Sequence, residues 1–162
     1  MKTLLLLRHA RPNRSSPTGR DFDRALADEG RADALLVGQL LLRKKLSPDA
    51  ITCSPALRAR ETAEHLIEAA TLTIPLVFDE RIYEASTEQL IEVVAAAAEE
   101  ADVVLLVGHN PGLQGLLGRL TGENAPMRPA TLARIDLDIE AWDELRRATT
   151  GQLVFALSPQ AS

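Results

Sequence analysis

Short apolar runs alternate along this chain with stretches of helical periodicity, and few architectures besides a largely parallel sheet between helices accept that order. Leu4 to Leu7 is a continuous apolar run, as a strand buried on both faces requires. Ala10 to Asp28 is polar and broken by Pro12, Pro17 and Gly19, which reads as a loop. The spacing then predicts a helix from Glu29 to Lys45. Ala32, Leu36 and Leu40 form its buried stripe, Arg43, Lys44 and Lys45 suit the negative end of its dipole, and Ser47-Pro48 ends it. Ala50 to Cys53 is a second strand. Ser54 reads as an N-cap with Pro55 at the first helical position, and Ala59, Ala63, Leu66, Ile67 and Ala70 are that helix's inner face.

Pro75 to Phe78 is a third apolar run. Ser86 and Gln89 fit a capping box that opens a helix with Leu90, Ile91, Val94 and Ala98 inward. Val103 to Val107 repeats the pattern of the first strand. Asn110 follows as a cap and Pro111 as first helical residue, Leu113, Leu116, Leu117 and Leu120 form a stripe, and Gly122 closes the helix. Ala133, Ile135, Leu137 and Ile139 alternate with polar residues, as in a half-exposed strand near a sheet edge, and Leu153 to Leu157 reads as a more buried last strand. The expectation is an α/β fold: a three-layer α/β/α sandwich with a mainly parallel central sheet. No internal repeat, low-complexity segment or linker divides the 162 residues, so residues 1–162 are expected to form one domain.

Aromatic residues make up only 3% and the net charge is −5. The first argues against a base-stacking platform and the second against a nucleic-acid binder, so an anionic ligand has to be drawn by a local cluster of positive charge. A single cysteine, Cys53, cannot build a disulfide framework. The four N-terminal leucines are too short for a signal peptide, and no run reaches the roughly 20 apolar residues that span a bilayer, so a soluble, cytoplasmic protein without membrane partners is expected.

In open α/β sheets ligands bind beyond the carboxyl ends of the strands. Three unusual groups fall there: Arg8-His9 after the first strand, Ser54 to Arg58 after the second, and Gly108-His109-Asn110 after the strand that starts at Val103. Parallel strands would bring two arginines and two histidines to one crevice. Arg8 and Arg58 offer planar forks that match phosphate oxygens, and Arg58 also stands near a helix N-terminus. His9 can attack phosphorus through a neutral ring nitrogen that neighbouring arginines help keep unprotonated, and His109 can donate to an oxygen as charge develops.

Other readings of the same residues stay in view. Two histidines with a carboxylate could hold zinc, although two arginines beside them would repel a dication. A cysteine phosphatase needs Cys and Arg separated by five residues, but that register from Cys53 lands on Ala59, with Arg58 one early and Arg60 one late. His65, among Glu61, Glu64 and Glu68, reads as a solvated surface residue. No Walker-type phosphate loop is present.

These groups resemble the signatures of the histidine phosphatase, or phosphoglycerate mutase-like, superfamily. Arg8-His9-Ala10 resembles its Arg-His-Gly, with alanine in place of glycine. Ser54-Pro55-Ala56-Leu57-Arg58-Ala59-Arg60-Glu61-Thr62 resembles Ser-Pro-x-x-Arg-Ala-x-x-Thr, and Gly108 to Pro111 resembles Gly-His-Asn-Pro. Asp21 to Gly30 and Tyr83 to Ser86 are similar to stretches of the short phosphohistidine phosphatases of the SixA type. The resemblance implies a phosphoglycerate mutase-like fold without a cap domain, and a phosphohistidine intermediate on His9 with Arg8, Arg58 and His109 around it. It further implies Asn110 at the substrate and no metal or other cofactor. Sugar-phosphate members use a carboxylate after the third strand as proton donor. Glu84 is the candidate here, with Glu80, Asp21 and Asp23 as rivals.

The functions that follow are a phosphatase acting on phosphohistidine proteins, a small-molecule phosphomonoesterase on the same scaffold, and a phosphate-binding module without turnover. Mutase activity has the least support, since little in so short a chain would reorient a substrate.

Overall fold

In a computed structural model, which describes residues 1–147 and 151–159, six strands form one sheet in the order β3-β2-β4-β1-β5-β6. The strands are β1 (Lys2–Arg8), β2 (Ala50–Cys53), β3 (Leu76–Phe78), β4 (Val103–Gly108), β5 (Leu132–Leu137) and β6 (Gly151–Leu157). β1, β2, β3 and β4 pair in parallel, whereas β5 is antiparallel to both β1 and β6. Four helices flank the sheet: α1 (Asp28–Arg43), α2 (Leu57–Ala70), α3 (Thr87–Ala95) and α4 (Gly112–Thr121). This is the mixed, mainly parallel α/β architecture of the phosphoglycerate mutase fold.

The leucine run explains the layering. Leu4 and Leu6 enter a core with Leu90, Leu113, Leu116 and Leu117 of α3 and α4, while Leu5 and Leu7 enter another with Val37, Leu41 and Leu66 of α1 and α2. All four leucines are fully buried, and each contributes about 1.5–3 kcal/mol by leaving water. A strand between two helical layers has no polar face to show, which is why β1 does not alternate.

Several local expectations are corrected. In α1 the buried residues are Gly30, Ala34, Val37, Gly38 and Leu41, while Ala32 and Leu36 are exposed and Leu40 is half-buried. The glycines decide the facing. A Cβ on Gly38 would lie 2.6 Å from the Ala69 Cβ and from the Leu66 carbonyl oxygen, and one on Gly30 would overlap the Arg11 carbonyl oxygen. Close backbone approach to α2 and to the 10–28 loop therefore outweighs the leucine count. Ala98 lies beyond the end of α3 and is exposed. The two last strands exchange roles: β5 is mostly buried beside β1, and β6 is the more exposed edge strand. Pro55 precedes the helix instead of opening it, because α2 begins at Leu57 with Ala56 at the N-cap. Likewise α4 begins at Gly112 after a cis Asn110–Pro111 peptide. The Ser86–Gln89 capping box and the left-handed Gly122 closure form as the sequence predicts.

No helix among the described residues is long and apolar enough to cross a membrane.

Candidate active site

The register of the parallel strands assembles the three groups. Arg8 pairs with Gly108 and Cys53 with Val107. The His9 amide then donates to the Gly108 carbonyl at 3.1 Å and the Ser54 amide to the Val107 carbonyl at 3.0 Å. His9, Ser54 and His109 thus leave the same sheet edge together. The His9 and His109 ring centroids are 5.1 Å apart, although the residues lie about 100 positions apart in sequence.

His9 is 6% exposed, and its Nδ1 is 2.8 Å from the Ala10 carbonyl oxygen. A carbonyl only accepts, so Nδ1 carries the hydrogen and Nε2 keeps its lone pair. His109 Nε2 is 2.7 Å from the Ser54 hydroxyl, which also accepts from the Ala56 amide at 3.2 Å. Ser54 is fully buried, and His109 Nε2 is the acceptor within reach of its hydroxyl hydrogen. Donation to Nε2 places the His109 proton on Nδ1. That Nδ1 and the Nε of Arg8 are the two buried side-chain polar atoms without a hydrogen-bond partner among the described residues. Buried donors normally have partners, and both orphans belong to residues beside His9.

The supporting contacts are specific. Arg8 Nη1 donates to the Met127 carbonyl at 3.0 Å, and Asn110 Nδ2 donates to the same oxygen at 2.9 Å. Asn110 Oδ1 accepts from the Gln114 amide, so its side chain braces the turn into α4 and, through Met127, Arg8. Thr62 donates to the Arg58 carbonyl at 2.7 Å and accepts from the Ala10 amide at 3.0 Å, tying α2 to the end of β1. Arg58 is 7% exposed and grips Asp21, with Nη1 on its carbonyl and Nη2 on Oδ2, both at 2.9 Å. Tyr83 donates to the same Oδ2 at 2.9 Å, and Arg24 to Oδ1 at 3.0 Å. Asp21 therefore ties the 10–28 loop to α2 and to Tyr83.

The electrostatics follow from burial and this ring of arginines. Burial chiefly, then Arg58, Arg8 and Arg24 against the opposing Ala10 bond, lowers the His9 imidazole from 6.5 to about 4. Burial, His9 and Arg58 lower His109 to about 3. Both rings are neutral at physiological pH. Burial raises Asp21, but the hydrogen bonds from Tyr83, Arg24 and Arg58 outweigh it and hold the carboxyl at about 2. Asp21 is accordingly an ionised anchor and no proton donor. Cys53 is buried with its thiol pushed far up, which fits a packed strand residue and not a nucleophile.

These depressed imidazoles predict acid sensitivity. Below pH 6.5 the unfolded chain binds protons that the folded chain refuses until about pH 4 at His9 and about pH 3 at His109, so stability falls across those windows by up to about 1.4 kcal/mol per pH unit for each ring. Urea denaturation near pH 7 and near pH 5 measures it, and equal unfolding free energies would show ordinary imidazole basicity.

Glu84 is exposed, has a positive φ of 56° and shares a cleft of about 390 Å³ with Gln89, His109 and Asn110. A left-handed backbone at a non-glycine residue is uncommon and often marks a functional turn. Glu80 is exposed and outside that cleft, and Asp23 accepts from Thr18 at 2.6 Å. His65 is half-buried on α2. Among the described residues no three His, Cys, Asp or Glu side chains cluster as a metal site.

Ser54, read from sequence as a helix cap, and Tyr83 and Arg24, given no individual role there, are the site residues sequence reasoning missed. Tyr83 carries the one available signal, as the chain's single tyrosine.

The fold and this residue set define a class of protein, and the chain belongs to it: residues 4–92 match the profile of the histidine phosphatase superfamily, branch 1. An uncharacterised protein of Mycobacterium leprae is 33% identical over 121 residues, covering 72% of this chain and 71% of the relative. An uncharacterised chloroplastic protein of Arabidopsis thaliana is 27% identical over 88% of this chain and 70% of its own. Among solved structures, one described as phosphohistidine phosphatase SixA from Agrobacterium tumefaciens is 30% identical, with a TM-score of 0.83 over 98% of both chains. Another so described, from Nakamurella multipartitia, is 27% identical, with a TM-score of 0.86 over 98% of this chain and 96% of that one.

Proposed function

We propose that this protein is a metal-independent phosphatase in which His9 Nε2 takes the phosphoryl group from a phosphohistidine protein and water then releases it. The observation that carries the proposal is the free Nε2 lone pair of His9, flanked by the unpartnered donors Arg8 Nε and His109 Nδ1. As Nε2 bonds to phosphorus the ring becomes cationic, and the Ala10 carbonyl opposite Nδ1 stabilises that charge. Arg8, Arg58 and His109 Nδ1 meet the phosphoryl oxygens, so positioning and charge stabilisation supply most of the catalysis. The SixA description of the similar structures supports the phosphohistidine substrate. An imidazole leaving group also needs less help from an acid than an alkoxide does.

Glu84 favours a second reading. Its carboxyl on the open cleft beside His109 is suited to protonate an alkoxide, as hydrolysis of a small phosphoester requires. An assay with chelator present, offering a phosphohistidine protein and an aryl phosphate, separates the two. Turnover of the former supports the proposal, and turnover of the aryl phosphate alone moves the substrate class to small esters.

Ser54→Ala tests the proton arrangement. Without the hydroxyl, His109 is free to carry its hydrogen on Nε2 and loses its donor at Nδ1. The expected result is a fall in kcat of about 10²- to 10³-fold, the scale of one lost oxyanion donor, with KM little changed. Nitrogen NMR of the imidazoles reads the tautomer directly, and an Nδ1–H that persists with full kcat rejects the role.

A further inference from the structure

A second positive cleft adjoins the phosphoryl pocket. It has a volume of about 310 Å³, and its lining includes Arg14, Arg20, Arg24, Asp21, Ser15 and Ser16. In a chain of net charge −5, residues 14–24 carry three arginines against two carboxylates, Asp21 and Asp23, a local positive excess. Arg14 is exposed and makes no hydrogen bond or ion pair with the described residues. Arg20 reaches Asp23 only at 3.9 Å and lies over the Phe22 ring at 5.7 Å. The loop itself is braced, since Ser16 donates to the Arg20 carbonyl at 2.7 Å and Arg24 Nε to the Asn13 carbonyl at 2.8 Å. Two guanidinium groups are thus held out on a fixed backbone without strong partners of their own.

Asp21 is the wall between this cleft and the pocket. Its Oδ1 holds Arg24 and its Oδ2 holds Arg58, so the two anion-attracting regions are one carboxylate apart. We propose that the cleft of Arg14 and Arg20 binds a second anionic group of the substrate while the phosphoryl group lies at His9. This rests on the phosphatase reading above and narrows it to substrates with a carboxylate or second phosphate near the reacting phosphorus. The group is either an acidic side chain flanking the phosphohistidine or an acid group of a small phosphoester. Guanidinium forks recognise both through charge-assisted hydrogen bonds.

The test uses two matched pairs on wild type and the Arg14→Ala/Arg20→Ala variant. One pair is a phosphohistidine peptide flanked by glutamates against its alanine-flanked counterpart. The other is 3-phosphoglycerate against glycerol 3-phosphate. In wild type, kcat/KM for the more anionic member of one pair is expected to be higher by on the order of tenfold, and the ratio falls to about one in the variant. The pair that responds identifies the source of the anion. Ratios near one in wild type, or a ratio that survives the substitutions, overturn the proposal. If wild type hydrolyses none of the four, the phosphatase reading fails and calorimetry with the second pair decides the cleft. Tighter 3-phosphoglycerate binding that vanishes in the variant upholds it, and equal binding rejects it.

Discussion

His9→Ala is expected to abolish turnover, with a loss on the order of 10⁴-fold or more in kcat, while the protein stays folded. The magnitude follows from the proposed mechanism, which loses the atom that would bond to phosphorus and has no neighbour to substitute for it. His109 stands near, but its Nε2 is engaged with Ser54 and its Nδ1 is a donor. The fold survives because the backbone bonds at this position stay: the His9 amide to Gly108, and the Ala130 amide to the His9 carbonyl at 3.1 Å. The ring contributes one further hydrogen bond, to Ala10, worth about 1 kcal/mol. Kinetics alongside thermal unfolding check both halves. A well-folded variant that retains wild-type kcat would remove His9 from the mechanism, whereas acid-labile phosphate on wild type that is missing from the variant would support it.

Arg58→Ala is the second large effect, expected to lower kcat/KM by on the order of 10³-fold. Two losses combine. In the proposed mechanism the phosphoryl oxygens lose a buried guanidinium, and the Asp21 carboxylate loses one of its three side-chain partners, leaving Tyr83 and Arg24. An anion left partly unpaired there repels the substrate's own charge. Arg58→Lys keeps the charge without the fork and is expected to fall between wild type and alanine. Adding Asp21→Asn to Arg58→Ala is expected to recover part of the loss by removing the repulsion. A decrease under tenfold for Arg58→Ala would place the guanidinium outside the reaction.

The two substitutions differ in how far sequence alone leads to them. His9 is legible because it follows, after Arg8, a run of four leucines that only a doubly covered strand explains, and strand ends are where α/β sheets bind ligands. Arg58 and His109 are legible for the same reason, once three such strands are taken as parallel. The facing of α1 is not. Leu36 and Leu42 are exposed while Gly30 and Gly38 are buried, because the approach of α1 to the 10–28 loop and to α2 is set by close contact at those glycines and not by hydropathy.

Roles within the site diverge in the same way. Ser54-Pro55 has the composition of a helix start, and only the register of β2 against β4 brings the serine hydroxyl to His109 instead. Asp21 could be read as a free acid in a loop. Its contacts with Arg58 and Tyr83, 37 and 62 positions away, make it an ionised anchor.

The apolar runs and their polar ends, then, determined the central strands and the groups that follow them, because burial acts on periodic patterns that a linear sequence carries, whereas the facing of α1 and the roles of β5 and β6 were settled by packing. Tautomers, anchors and the second arginine cleft were decided by tertiary structure, because each depends on hydrogen bonds or charges between segments whose distance no local pattern encodes.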